Sequence, residues 1–297
     1  AYPAGPIRLM VGFPPGGGVD VAARALANVL TGQLGQTVVV ENLAGAGGNI
    51  ATDRVVNAPA DGYTLLFGSI ALSINPSLYK SLTFDPVRQL RAVAMVSTSP
   101  FVLLANPKSG IASARDLVAQ VKSGKDMDYA SAGNGSGSHL FMQQFSDLAG
   151  IRMTHIPYRG ASPALNDVIG NRVPIVFDSV MTTLPHIQAG NLKALGLSSK
   201  KKSAVAPDIP TLDEAGIHGM DSTSWFIVFA PARTEQAIVD KLNAAINASL
   251  SQPALQQQFA AMGAEIATST PAEAQQFYEE EVRKWAKVVE ASGARLD

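Results

Sequence analysis

The sequence predicts an α/β protein of two domains, each a mostly parallel sheet flanked by helices. Three observations carry that prediction. Short, nearly continuous apolar runs alternate with segments whose apolar residues recur at helical spacing. Two such alternating series of similar size follow one another along the 297 residues. Apolar strands near 96–104 and 222–230 join them, so the chain should cross between domains on a two-strand hinge. The expected division gives residues 1–98 plus 225–297 to the first domain and 99–224 to the second, with the ligand cleft between them.

Each element follows from its residues. Ile7 to Phe13 reads as a strand buried on both faces, and Pro14-Pro15-Gly16-Gly17-Gly18 breaks it. Ala22, Ala25, Leu26, Val29 and Leu30 then line one stripe of a helix over 19–34. Val38 to Val40 is a second strand, 49–57 a helix and 64–67 a third strand. The second series runs helix 113–122, strand 128–131, helix 138–149, strand 153–157, helix 161–169, strand 174–177, helix 183–189 and strand 192–197. The run 225–230 precedes three helical segments. In the last, about 271–291, Tyr278, Val282, Trp285 and Val289 form a core stripe, with Pro271 near its start and Gly293 past its end.

Composition narrows the function. The net charge of -1 leaves no footprint for nucleic acid or an anionic membrane, and Lys200 to Lys202 reads as a solvated loop. With no cysteine there is no thiolate catalysis, iron–sulfur cluster or disulfide scaffold. The four histidines, 139, 155, 186 and 218, show no metal-ligand spacing, and no cofactor is expected. No apolar stretch approaches the ~20 residues that span a bilayer. The start at Ala1-Tyr2-Pro3 resembles the product of signal-peptide removal.

Chemistry concentrates in loops at the carboxyl ends of strands, where open α/β sheets bind ligands. In Phe13 to Asp20, the glycines Gly16, Gly17 and Gly18 bare backbone N–H groups at a helix start, which suits an anion. The loop lacks the Lys-Ser/Thr of a phosphate P-loop, and Asp20 should cap the helix, so a carboxylate fits better than a phosphate. Gly133 to His139 repeats the theme, with Ser136 and Ser138 as caps and hydroxyl donors. It matches neither the Gly-x-Ser-x-Gly elbow nor the dinucleotide fingerprint. Further loops are Gly68 to Pro76, Pro157 to Pro163 and Asp178-Ser179.

Together these segments resemble one family, the Bug-type receptors of the tripartite tricarboxylate transporter system. The likeness spans the whole chain. It is carried by Phe13 to Asp20, Val40 to Gly48, Pro59 to Tyr63, Asn75 to Tyr79, Gly135 to Leu140 and His155 to Gly160. Leu184 to Gly190, Pro207 to Leu212 and Trp225 to Pro231 extend it. The resemblance implies a type II periplasmic-binding-protein fold, secreted in a Gram-negative bacterium as a monomer, which delivers a small carboxylate to membrane permease subunits. It also implies the site. Phe13, Pro14, Gly16 to Gly18, Asp20, Ser69 and Ala71 would hold waters and one ligand end. Ser136, Gly137, Ser138 and His139 would bind a carboxylate from the second domain, with Tyr158, Arg159, Ala161 and Asp178 around the pocket. Two residues depart from the family pattern: Gln143 replaces a common Glu, and Ser179 an Asn that often follows Phe-Asp.

Closure has a physical rationale. A ligand of about ten heavy atoms bound at micromolar affinity needs ~8 kcal/mol, or ~0.8 per atom. That lies within the ~1.5 ceiling for very small ligands only if the ligand is almost wholly enclosed. Two rival readings remain at this stage: a secreted serine hydrolase using Ser136, His139 and Asp178, and an effector-binding regulatory domain. For the receptor, neutral donors rather than a buried arginine should recognise the acid, with Arg159 the residue best placed to contradict this.

Overall fold

The computed structural model describes residues 1–297, and the chain divides into two units. Unit 1 contains Ala1–Thr98, Trp225–Lys287 and Asp297, and unit 2 contains Ser99–Ser224 and Val288–Leu296.

Unit 1 begins with β1 (Ile7–Val11), α1 (Gly18–Leu34), β2 (Val38–Asn42), α2 (Asn49–Val56), β3 (Thr64–Ser69), α3 (Ala71–Leu78) and α4 (Pro86–Gln89). The strand β4 (Leu90–Ala105) leaves it. β1 pairs in parallel with both β2 and β3. Alternation along β1 sends Ile7, Leu9 and Val11 to one core and Met10 to the other, as a strand buried on both faces requires. The first core takes Ala22, Leu26 and Leu30 of α1. The second takes Ala51 and Val55 of α2 and Leu72 of α3. Gly68 to Pro76, expected as a loop, is mostly helix, and α3 contains Pro76. Pro76 leaves the Leu72 carbonyl without its helical donor, and the Tyr278 hydroxyl supplies one at 3.0 Å.

Unit 2 continues with α5 (Ala114–Lys122), β5 (Asp128–Ser131), α6 (Gly137–Ala149), β6 (Thr154–Pro157), α7 (Ala161–Ile169), β7 (Ile175–Ser179), α8 (Val180–Gln188) and β8 (Lys193–Leu197). β5 pairs in parallel with β6 and β7, whereas β4 is antiparallel to both β7 and β8. Phe177 packs edge-on against Phe141 and Phe145 of α6. Val176, on the opposite sheet face, joins Val102, Ala130 and Val168 in a separate core.

The last third comprises β9 (Thr223–Pro231), α9 (Gln236–Leu250), α10 (Pro253–Ala261), β10 (Glu265–Ile266) and α11 (Pro271–Ser292). β9 lies antiparallel to β3, and β10 antiparallel to β4. The sheets are therefore mixed: the strands expected to link the two series run against the parallel strands. Leu242, Ile246 and Leu250 of α9 seal the α1 face, and Ala274 and Tyr278 of α11 seal the α2 face. The expected division gave all of 225–297 to the first domain, but Val288–Leu296 group with unit 2. α11 is 22 residues, ~33 Å, long, and the division between the units falls within it.

Candidate ligand-binding site

In unit 1 the chain leaves β1 through Gly12 and Phe13. A Cβ on Gly12 would lie 2.7 Å from the Gly48 Cα, so only glycine permits this approach of the two loops. The Pro14–Gly18 turn is exposed and leads into α1 with Gly17 as N-cap, without a side-chain cap. The first N–H groups of α1 thus point outward with no side-chain acceptor. Phe13 is half-buried beside Gly48.

Asp20 does something other than expected. Rather than capping α1, its buried carboxylate accepts from Gly16 N at 2.9 Å, Arg24 Nε at 3.0 Å and Asn42 Nδ2 at 2.9 Å. Asn42 also donates to the Phe13 carbonyl and accepts from Arg24. Burial pushes the Asp20 carboxyl up, but the bonds from Gly16, Asn42 and Arg24 outweigh it and hold it below the usual carboxylate range. Asp20 therefore shapes the glycine turn from behind, and its oxygens are already occupied.

Beside that turn lies a cavity of about 20 Å³, room for about one water. Phe13, Ser69, Ala71, Thr52 and Asn75 are among its walls. Asn75 and Thr52 are committed to the Gly47 and Gly48 carbonyls. Ser69 is 9% exposed and its hydroxyl bonds no protein group, which leaves it available to a ligand or water.

In unit 2, Ser136 is the N-cap of α6, as expected, and accepts from His139 N. Its hydroxyl donates to the Gly133 carbonyl at 2.7 Å, and Ser138 Oγ accepts from Ala132 N at 2.8 Å. His139 is buried, and its Nδ1 accepts from Gly135 N at 3.0 Å. Gly135 has φ +78°, a conformation glycine adopts without strain. The His139 ring stacks on His155 at 3.8 Å, and His155 in turn stacks on Tyr129 and bonds Ser131. Burial, then the neighbouring His155, lowers the His139 pKa to about 4, and burial lowers that of His155, so both rings are neutral pins.

The remaining predicted residues divide. Ala161 opens α7, whose N-cap Gly160 has no side-chain cap. Tyr158 is half-buried, and its hydroxyl is spent on Asp167 at 2.6 Å; burial and that bond push it up to about 12. Arg159 is exposed and forms no ion pair. Asp178, at the end of β7, is 7% exposed. Its one bond is to Ser179 N at 2.7 Å, and burial outweighs that bond and raises its carboxyl to about 6. Ser179 caps α8 by accepting from Thr182 N. No side-chain bond joins Ser136 to His139, and Asp178 reaches neither, so the three do not assemble a hydrolase relay. Asn42 and Asn75, neither of them among the expected binding residues, brace the glycine loops. Their signal was a polar residue just past a strand or inside a helix beside glycines.

Helix starts, uncapped at α1 and α7 and serine-capped at α6, thus present neutral donors. Residues 22–294 match the model of the tripartite tricarboxylate transporter family receptor. The chain belongs to this family. Members of the family are solute receptors, and this receptor is not an enzyme. It is 40% identical to protein BugT of Bordetella pertussis over 99% of this chain and 91% of that one. It resembles the R. palustris protein Rpa4515 with adipate, at TM-score 0.83 and 31% identity over the whole of both chains. It also resembles MatC from Rhodopseudomonas palustris with bound malate, at TM-score 0.79 and 30% identity, covering 97% of this chain and 100% of that one. The mixed α/β architecture is thus that of periplasmic binding proteins, and the hydrolase reading is set aside.

Proposed function

We propose that this receptor works in the periplasm, capturing a small dicarboxylate and delivering it to the permease subunits of a tripartite transporter. The observation that carries the reading is the set of helix starts without side-chain caps at α1 and α7 and the serine-capped start of α6, with no cationic side chain among the predicted site residues except the unpaired Arg159. Such sites attract a carboxylate through N–H groups and helix dipoles. The adipate and malate held by two similar proteins support the same class of ligand.

In this reading Gly16 to Gly18 and Ser69 hold one carboxylate, in part through water in the small cavity. The Gly137 and Ser138 N–H groups and the Ser138 hydroxyl hold the other, with Ser136 capping the helix behind them and Ala161 and Asp178 beside it. Phe13, Pro14 and Ala71 furnish apolar walls. Asp20, His139 and Tyr158 act as supports, because their polar atoms are already bonded. A thermal-shift panel of dicarboxylates, amino acids and aromatic acids tests the ligand class, since a true ligand at 100 times its Kd stabilises by ~2.7 kcal/mol. Ser69→Ala and Ser138→Ala should weaken the best acid about tenfold each, as loss of a hydrogen bond to a charged group does. Arg159→Ala should leave it within about twofold. If Arg159→Ala abolishes binding and Ser138→Ala does not, neutral-donor recognition is wrong.

A further inference from the structure

Asp178 is the one buried carboxyl in unit 2 without a counter-charge. It lies 7% exposed and forms no ion pair, and one of its oxygens has no partner at all. The elements packed against β7 bring six titratable groups: Asp128 and Tyr129 of β5, His139 and Asp147 of α6, Asp167 of α7 and His186 of α8. None bonds Asp178, Asp167 is held by Tyr158 and Arg172, and the Phe101–Ala105 stretch of β4 that pairs with β7 carries no charge. Nothing in the unit explains why a carboxyl should be buried here.

Its position supplies a reason. The β5–β7 register places Ala130 beside Val176, so Ala132 comes level with Asp178 two residues on. Ala132 is the residue that ties two helix starts together: its N–H donates to Ser138 of α6, and its carbonyl accepts from Gly160 of α7. Asp178 therefore borders the same helix starts that would seat a ligand carboxylate. Two carboxylates at one site cannot both stay ionised without large cost, and they share a proton instead.

We propose that Asp178 makes capture of the acid proton-linked: the ligand carboxylate docks with uptake of a proton from solvent, held as an O–H between the two carboxyl groups. The inference rests on the receptor reading above. Well below pH ~6 the free Asp178 is already protonated and binding takes up almost nothing. Above it, each bound acid must bring a proton, so affinity falls. With a free value of about 6 and a bound value well above it, Kd should rise about 25-fold between about pH 5.5 and 7.5.

The test is calorimetry with succinate, glutarate, adipate and malate on the whole chain at both pH values, in buffers of different ionisation heat. Wild type should show the Kd shift and uptake of up to one proton at the higher pH. Asp178→Asn donates an N–H without needing a proton, so it should bind at pH 7.5 at least as tightly as wild type and lose the pH slope. Binding of these acids with a flat Kd and no proton uptake overturns the linkage but leaves the receptor intact. A slope that survives Asp178→Asn overturns it too. Wild-type affinity that grows with pH, and vanishes in Asp178→Asn, would mean that Asp178 pairs with a ligand cation instead. If no acid of any class binds at either pH, the carboxylate-receptor reading falls, and this inference with it.

Discussion

Asp20→Asn separates shaping the glycine turn from touching the ligand. The substitution keeps size and shape, but all three partners of Asp20 are donors: Gly16 N, Arg24 Nε and Asn42 Nδ2. Whichever way the new amide turns, its NH₂ meets one or two of them. Asn42 cannot flip to compensate, because it donates to the Phe13 carbonyl while accepting from Arg24. Up to two hydrogen bonds to a charged group are lost, at ~1.5–3 kcal/mol each. Part returns, since the Arg24 side chain is 49% exposed and rehydrates. The net loss should be about 3 kcal/mol, or roughly 6–12 °C in Tm. Thermal and urea unfolding at neutral pH, followed by circular dichroism, measure it. The acid limb gives a second check. Because the folded pKa of Asp20 is lowered, its stabilisation is complete above the unfolded carboxylate range near 4 and is lost as pH falls through the folded value. The variant should lack that component. A stability within about 0.5 kcal/mol of wild type would refute the argument.

Three further outcomes are expected. His139 is neutral when folded, with its pKa lowered to about 4, so the unfolded chain binds more protons as pH falls below ~6.5. Unit 2 should lose about 3 kcal/mol between pH 6.5 and 4, and His139→Leu should flatten that slope in urea midpoints. Gly12→Ala places a methyl 2.7 Å from Gly48 Cα, and should cost about 1–3 kcal/mol and weaken acid binding in calorimetry. Buried Glu281 accepts from the Trp225 and Trp285 indoles through one oxygen and from Lys284 through the other. Glu281→Gln keeps an acceptor for the indoles and should cost under about 1 kcal/mol, while Glu281→Leu strands both indole N–H groups and should cost about 2–3 kcal/mol by denaturant unfolding.

Most strands and helices are legible in the residues, because burial on two faces writes continuous apolar runs, and burial on one writes helical stripes; α3, α4 and β10 are not. Ile7 to Val11 and the α1 stripe are legible for that reason, as is Ser136 as the α6 cap, since capping is a local act of neighbouring residues. The glycine and serine turns could be recognised as anion sites on the same local grounds. Tertiary structure alone decided which polar atoms remain free. Asp20, read locally as a cap, is drawn backward by Asn42, 22 residues away, and Tyr158 is claimed by Asp167. It also decided that His139 stacks on His155 and that Asp178 is left without a counter-charge. Pairing between residues distant in the chain is set by sheet register and helix packing, and no pattern of neighbours encodes it. The seats for an acid are thus written in the turns, while the chemistry left in them is fixed by what the fold packs behind.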